Sequence, residues 1–245
     1  VDGHIECWGG NEDGELLAPS GTFVSIDAAN GGYSCALGVD GTVTCWGDAL
    51  YFGDGFPSGA LMSISTGWHH ACGLATIPAP ARCWGLASLV ATAPTDELTE
   101  VSAGQDFGCG IRAADDTVIC WGLTDVGTPP DPSATFEHVS AGPLHACGIL
   151  TGGEVVCWGD IADLPPPPAG PFAQVDASNR FTCGVRTDGS LLCWGAVDMF
   201  GLGYLDFPAG TFQAASAGFW HGCAIRTDAS IVCWGANGSG QATPP

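Results

Sequence analysis

Short segments in which apolar and polar residues alternate recur along the whole chain. One of them runs from Phe172 to Ala177 as Phe-Ala-Gln-Val-Asp-Ala. Alternation with a period of two places the apolar residues on one face and predicts a β-strand. Five related segments begin at Phe23, Leu61, Leu98, Phe136 and Phe212.

A second pattern follows each of these strands. Two short apolar runs flank a turn, as between Cys183 and Cys193, where Asp188-Gly189 stands at the tip. Asp-Gly pairs tolerate the positive φ of a tight turn, so each unit predicts a β-hairpin. The second unit departs from the pattern because Pro78 and Pro80 lie in a longer tip.

The tripeptide Cys-Trp-Gly marks the end of every unit. It occurs seven times, at intervals of 36 to 40 residues, starting at Cys7, Cys45, Cys83, Cys120, Cys157, Cys193 and Cys233. Several short strands repeated at this period predict a β-propeller, with the tryptophans packing blade on blade. We therefore expect an all-β, seven-bladed propeller that occupies residues 1–245 as a single domain.

Six of the seven units carry a second cysteine on the preceding strand. Strands that pair in a hairpin bring facing Cβ atoms close to disulfide distance. A zinc site would need four converging ligands, commonly with a Cys-x-x-Cys spacing that is absent. The sequence predicts six disulfides and an oxidising extracellular or cell-surface location. The pairs are Cys35–Cys45, Cys72–Cys83, Cys109–Cys120, Cys147–Cys157, Cys183–Cys193 and Cys223–Cys233.

The seventh unit is incomplete, since seven Cys-Trp-Gly strands accompany only six upstream strands and hairpin partners. Cys7 has no mate, and Val1-Asp2-Gly3 reads as the interior of a hairpin. The chain has no initiating Met or signal peptide, as expected for a processed form or a fragment. Three explanations stay open: a longer chain, an incomplete closure of the ring, or a strand donated by a neighbour in a head-to-tail assembly through Cys7.

Charge excludes two classes of partner. The chain carries 26 acidic residues against five arginines, and its formal net charge is −21. Nucleic acids and anionic membranes need clustered basic residues, so neither is an expected partner. No apolar stretch approaches the roughly 18 residues of a membrane helix.

The repeat elements together resemble a known family. Val-Ser-Ala-Gly at Val101, His-x-Cys-Gly at His145, Asp-Gly and Cys-Trp-Gly are similar to the regulator of chromosome condensation repeats, specifically those of secreted bacterial members with paired cysteines. Trp8 to Gly14 is similar to the repeats of secreted propellers that inhibit β-lactamases. The resemblance implies a propeller, but functions in this family range from nucleotide exchange to enzyme inhibition.

In the β-lactamase inhibitors, aromatic residues of the loops before the hairpins bind the enzyme, and the resemblance directs attention to these loops here. The corresponding positions lie three and four residues before each hairpin's first cysteine and differ between repeats, as Gly31-Gly32 and Pro143 illustrate. Positions that vary among otherwise similar repeats are candidates for recognition. The candidate ligand-binding residues are Trp68, His69, Gln105, Asp106, Leu144, Asn179, Arg180, Phe219 and Trp220.

The sequence gives little support for a catalytic or metal-binding site. His70, His145 and His221 each precede a cysteine by two residues, but Tyr33, Phe107 and Phe181 occupy the same position in other repeats, which predicts a packed flat ring near the surface. The acidic segments from Asn11 to Glu15 and from Gly53 to Gly55 match no calcium-binding spacing. We expect no catalytic residues, no cofactor and no metal.

Three functions remain as hypotheses. The first is a secreted, non-enzymatic module that binds a protein ligand through variable loops on one face. The second is a structural or self-assembling extracellular component. A lectin ranks lower, because sugar sites in a propeller should recur at equivalent positions and these aromatics do not.

Overall fold

A computed structural model describes residues 3–29, 31–52, 56, 58–90, 92–122, 126–162, 164–196 and 201–245. In these residues it contains eighteen β-strands and two four-residue helices, α1 (Ala49–Phe52) and α2 (Ala87–Val90). The strands are β1 (Phe23–Ala28), β2 (Tyr33–Gly38), β3 (Val43–Gly47), β4 (Ser63–Thr66), β5 (His70–Leu74), β6 (Arg82–Gly85), β7 (Leu98–Ala103), β8 (Phe107–Arg112), β9 (Val118–Gly122), β10 (Phe136–Ala141), β11 (His145–Leu150), β12 (Val155–Gly159), β13 (Phe172–Ala177), β14 (Phe181–Arg186), β15 (Leu191–Gly195), β16 (Phe212–Ala217), β17 (His221–Arg226) and β18 (Ile231–Gly235). Among the described residues, no helix has the length and apolar character needed to span a membrane.

Six three-stranded antiparallel sheets form the blades of the propeller. Each sheet takes three consecutive strands, so blade 1 is β1–β3, blade 2 is β4–β6, and so on to blade 6, which is β16–β18. In every blade the alternating upstream segment forms the inner strand and the two strands of the hairpin lie outside it. The all-β propeller and its hairpins are confirmed.

The register of each hairpin places the two cysteines directly opposite each other. Cys183 pairs with Cys193 in β14 and β15, and the other five blades keep the same register. All six predicted disulfides are present, with Cα–Cα distances of 4.0–4.1 Å, and Cys7 is free. One disulfide per blade is therefore confirmed.

A β-bulge shapes the inner strand of five of the six blades. In β13 the register shifts between Phe172 and Gln174, so that one residue is left over on the inner strand. An extra residue reverses the alternation of faces. Phe172 and Val175, three residues apart, consequently lie on the same face of the blade together with Ala177.

The hydrophobic core lies between blades. Cys147 and Ile149 of blade 4 pack against Phe172, Val175 and Trp194 of blade 5 in one cluster of buried residues. Four further clusters join the other consecutive blades in the same way. A blade thus buries its apolar face only when the next blade is in place, as in other repeat proteins.

Polar side chains on the inner strands connect the same blades near the axis. The oxygen at the fifth inner-strand position accepts a hydrogen bond from a backbone N–H of the next blade, as Ser102 does from Ala141 and Asp176 from Ala217. Asp27, Ser65 and Ser140 make the equivalent bonds. We call these five residues the polar belt.

The aromatic position before each hairpin cysteine is more buried than the sequence suggests. His70 and His145 are fully buried, as are Phe107 and Phe181, and only His221 is partly exposed. The position does require a flat ring, because the Phe107 ring packs against Gly104 in the loop that precedes it. The expectation that this ring lies near the surface is wrong.

The seventh Cys-Trp-Gly copy forms no sheet among the described residues, so a seventh blade stays a prediction. Residues 3–9 nevertheless keep the local geometry of an outer strand. Phe23 N–H donates to the Gly3 carbonyl, as Phe172 donates to Gly153, and Gly9 has a φ of +110°, positive like that of the glycine after Trp in blades 1 to 4 and in blade 6. The Trp8 indole N–H donates to the Gln241 carbonyl at 3.0 Å. This segment therefore lies between blade 6 and blade 1 at the rim.

Candidate functional site: the loop face and the open cleft

The loops between the inner strand and the second strand of each blade surround one end of the central channel. Trp68, Gln105 and Pro143 line this channel mouth with the residues that precede them in blades 2 to 4. Neighbouring loops are tied together by backbone bonds such as Trp68 N–H to the Gly104 carbonyl at 3.1 Å. We call this end of the propeller the loop face.

Two aromatic residues from non-consecutive blades meet on the loop face. Trp68 of blade 2 and Phe219 of blade 6 contact edge to face, with ring centroids 5.8 Å apart and an interplanar angle of 87°. Both are half-buried. Blade 1 permits the contact because Gly31 lies beneath the Trp68 loop, where a Cβ would come within 2.4 Å of the Trp68 carbonyl. The small loop of blade 1 thus makes room for an aromatic bridge.

Trp220 is directed inward rather than outward. Its ring packs against Tyr204, with centroids 5.7 Å apart, and against Phe219 at 5.0 Å. Tyr204 is itself buried and donates its hydroxyl to the Ala196 carbonyl. Trp220 therefore supports Phe219 from below.

The polar candidates of blades 2 and 3 bind each other. His69 Nδ1 lies 2.8 Å from Asp106 Oδ1, and Gln105 Nε2 donates to Asp106 Oδ2 at 3.2 Å. All three are partly exposed. This small network fixes two adjacent loops and presents an acidic edge beside Trp68.

Three candidates lie apart from the aromatic bridge. Leu144, Asn179 and Arg180 line a separate cleft of about 180 Å³ between blades 4 and 5, together with Asp160. Leu144 is 38% exposed. The nine candidates from the sequence therefore fall into three groups. One is the aromatic bridge with its supporting Trp220, one is the polar network, and one is this cleft between blades 4 and 5.

The sequence reasoning missed two partly buried carboxylates at the channel, Asp27 and Asp176. Burial is the main cause that raises the pKa of Asp27, to about 6, and it also raises the pKa of Asp176. Both stand at a position that is Ser in the other four blades, which was the available signal. They belong to the polar belt, and among the described residues no group of three or more His, Cys, Asp or Glu could hold a metal ion.

The acidic turn near the amino end is held by its own bonds. Asn11 Oδ1 accepts from Leu16 N–H at 3.0 Å, and Glu15 Oε2 accepts from Asp13 N–H at 2.9 Å. The second acidic segment, Gly53-Asp54-Gly55, lies outside the described residues, as do Val1 and Asp2.

A further concave feature near the loop face is a cleft between blade 6 and blade 1. It has a volume of about 530 Å³ and is lined by Cys7 and Trp8 on its outer side, by Ile26 and Ala28 of blade 1, and by Cys223 of blade 6. Burial raises the pKa of the Cys7 thiol, and the Trp46 side chain offsets part of this rise. We call this feature the open cleft.

Known proteins share this architecture. The ectodomain of the receptor kinase ACR4 from Arabidopsis thaliana is 30% identical over 96% of this chain and 87% of its own, with a TM-score of 0.79. The ectodomain of the receptor kinase CR4 from Physcomitrella patens is 26% identical over 94% of this chain and 67% of its own, also at 0.79. Prp20p from Saccharomyces cerevisiae shares the fold at 15% identity, 95% and 80% coverage and a TM-score of 0.74.

The repeats themselves match a family model. The regulator of chromosome condensation (RCC1) repeat model matches residues 136–160, 172–196 and 212–241, which hold blades 4, 5 and 6. These segments contain the Cys-Trp-Gly strand and both strands before it. The chain belongs to the regulator of chromosome condensation (RCC1) repeat family.

Proposed function

We propose that this protein is a secreted, non-enzymatic module that binds a protein ligand through its loop face. An RCC1-like propeller is in general a protein-binding module. The observation that carries the finer proposal is the aromatic bridge between Trp68 and Phe219. Aromatic side chains that are rigidly supported yet half exposed are the usual anchors of protein interfaces.

The surroundings of the bridge support a protein as the ligand. Trp220 packs beneath Phe219, so the ring keeps its position before a ligand arrives and loses little conformational freedom on binding. The His69–Asp106 network forms a polar rim beside the bridge. An apolar centre with a polar rim is the common anatomy of such interfaces.

Relatives and location are consistent with this proposal. Prp20p was studied for its binding to Gsp1p and histones, and the two plant propellers are receptor ectodomains. The six disulfides of this chain indicate an oxidising environment. We place the protein outside the cell or at its surface and treat residues 1–245 as one propeller domain. The bacterial secreted type remains part of this proposal.

Affinity capture followed by quantitative binding tests the site. The immobilised protein captures its ligand from the native secretion, and mass spectrometry identifies it. Trp68→Ala and Phe219→Ala should each weaken binding of that ligand by about 2 kcal/mol, a roughly thirtyfold rise in Kd. Met62→Ala is the control, because Met62 is exposed at the opposite end of the inner strands. Unchanged binding by both loop variants would refute the site.

A structural or self-assembling role is the second candidate, and the open cleft is the observation that favours it. Self-association through Cys7 would give a disulfide-linked dimer on non-reducing electrophoresis at micromolar protein concentration, because the other twelve cysteines are in disulfides within the chain. A protein that stays monomeric without reductant would leave the binding module as the only candidate of the two. A lectin role draws no support from the loop face, because its aromatic residues are not repeated from blade to blade.

A further inference from the structure

Most of the basic side chains lie at the end of the propeller opposite the loop face. Arg112, Arg186 and Arg226 each end the second strand of a blade and stand opposite the first residue of its inner strand. Arg82 begins an outer strand at the same end. All four contact a neighbouring carboxylate, aromatic ring or carbonyl there. The fifth arginine, Arg180, lies in the cleft between blades 4 and 5.

A group of carboxylates lies beside the aromatic bridge on the blade 1 side. It surrounds Gly32, the next residue of the small loop that lies beneath Trp68. A Cβ at Gly32 would stand 3.6 Å from Glu15 Oε1 and 3.8 Å from Asp13 Oδ2. The Asp48 Cβ would be 3.9 Å away. We call these three acidic residues, all of them partly or fully exposed, the blade 1 acid group.

Asp106 provides a further carboxylate on the blade 3 side of the bridge. The His69 ring stacks on Trp68, with centroids 5.9 Å apart and an interplanar angle of 25°. His69 Nδ1 in turn lies 2.8 Å from Asp106 Oδ1, and the Asp106 side chain is 26% exposed. The aromatic bridge therefore has acidic side chains on two sides.

The repeat does not require an acidic residue at the position of Asp106. At the opposite end, four hairpin aspartates accept bonds from the backbone N–H and the hydroxyl of the Thr or Ser two residues later, so the turn itself explains them. The position of Asp106 holds a different residue in every other blade. These residues are Gly32, His69, Leu144, Arg180 and Trp220.

We propose that the ligand of the loop face is a basic protein segment, an exposed loop in which an arginine or lysine lies next to an aromatic or large aliphatic residue. This inference rests on the proposed function and names the class of partner. The apolar residue packs on the aromatic bridge, and the basic residues pair with Asp106 and with the blade 1 acid group. Charge complementarity favours this ligand, because a chain with a net charge of −21 repels an acidic one.

The groups beside the bridge suit an arginine in particular. Each oxygen of a carboxylate can accept two hydrogen bonds. Asp106 therefore retains acceptor capacity for a guanidinium after bonding to His69 and Gln105. The half-buried ring of Trp68 next to it offers an aromatic face or edge for the stem of the same side chain.

Selection from a phage-displayed library of short cyclic peptides tests the proposal. The protein is expressed from its complete gene, so that any residues flanking 1–245 are present. Peptides are kept if they bind this protein and fail to bind Trp68→Ala and Phe219→Ala. We expect them to be enriched in Arg or Lys next to an aromatic or large aliphatic residue. A segment of the protein's own chain that occupied the loop face would prevent this selection and overturn the proposal.

A variant that removes charge without changing shape measures the acidic contribution. It combines Glu15→Gln, Asp48→Asn and Asp106→Asn, which keep the oxygen acceptors of the folded chain. The Kd of a selected peptide, synthesised and measured at about 0.15 M salt, should rise about tenfold, mainly through slower association. At about 1 M salt the difference should largely disappear, because the screening length falls to about 3 Å. Trp68→Ala should weaken binding at both salt concentrations.

A second variant controls for general attraction to an acidic protein. Glu97→Gln, Glu137→Gln and Glu154→Gln remove the same charge from exposed positions at the opposite end of the blades. The Kd should rise less than about twofold, since these residues act only over distances that salt screens. The thermal unfolding midpoints of both triple variants check that they fold like the unmodified protein.

The outcomes separate this inference from the proposed function. Peptides that require Trp68 and Phe219 but show no excess of Arg or Lys would overturn the basic ligand and leave the loop face as a binding site. Equal weakening by the two triple variants would also overturn it, because attraction to the whole acidic chain would then explain the binding. Selected peptides that bind Trp68→Ala and Phe219→Ala as well as the unmodified protein would count against the loop face itself.

Discussion

The interface between blades 4 and 5 and the cleft between blades 6 and 1 are built from the same repeat, yet one is closed and the other is open. Phe172 and Val175 are buried on the closed side, whereas Phe23 and Ile26 at the same positions are partly or half exposed. Local structure is equal, because both blades have the same strands, register and disulfide. Burial in this protein is therefore a property of the neighbouring blade and not of the repeat.

The largest difference in stability is expected when the first inner-strand phenylalanine is replaced by alanine, in blade 5 at the closed interface and in blade 1 at the open cleft. Phe172→Ala leaves a cavity in a packed cluster and should lower the free energy of unfolding by about 3–5 kcal/mol. Phe23→Ala removes a ring that is already in contact with water and should cost about 1 kcal/mol. Denaturant unfolding with the disulfides intact measures both. Equal losses would mean that the cleft is closed in solution.

The next largest difference is expected in the pH dependence of stability. It compares two histidines at equivalent positions, His70 in a closed interface and His221 at the open cleft. Burial in a closed interface lowers the pKa of His70 to about 4. The unfolded chain therefore binds a proton at higher pH than the native one, and stability falls as the pH drops from about 6.5 to 4. Replacement by Phe, the residue at this position in blade 3, should remove roughly 3 kcal/mol of that loss.

His221 at the open cleft provides the matched comparison. Burial lowers its pKa as well, but the ring is partly exposed, so His221→Phe should flatten the pH dependence less than His70→Phe. Asp27, whose pKa burial raises to about 6, acts in the opposite direction and is unchanged in both variants. The measurement is unfolding free energy between pH 7 and pH 4. A larger effect for His221 would contradict the assignment of the open side.

The smallest effect concerns the disulfides, whose chemistry is the same in every blade. Cys183 is fully buried by blade 6, whereas Cys223 lines the open cleft and is partly exposed. Limited reduction should therefore open Cys223–Cys233 first, because exchange requires access to the sulfur. Alkylation and peptide mapping identify the first thiols. Prior reduction of Cys183–Cys193 would show that access does not order the disulfides.

Much of the fold could be predicted from the sequence because the same local sequence pattern recurs in every repeat. The period-two segments, the turn residues and the facing cysteines each predict contacts over about ten residues, and all six hairpins have the expected register. The burial of His70 could not be predicted in this way. It depends on Gly67 and on the Tyr33 side chain of the previous blade, whose hydroxyl donates to the His70 carbonyl.

The candidate site was predictable only in part. Variation among repeats directs attention to the loops, and a binding role for these residues stays a prediction. The contact between Trp68 and Phe219 depends on the position of blades 2 and 6 around a ring, which no local pattern contains. The inward direction of Trp220 follows from Tyr204, a residue of the preceding connection that lies outside the repeat motifs.

Hydroxyl-radical footprinting of the unmodified protein tests most directly whether one interface is open and five are closed. Ile26 and Val175 occupy the same inner-strand position and have comparable aliphatic side chains, at 49% and 1% exposure. Mass spectrometry should find Ile26 oxidised many times faster than Val175, with Val101 and Val139 protected like Val175. Equal protection of all four residues would contradict an open cleft between blade 6 and blade 1.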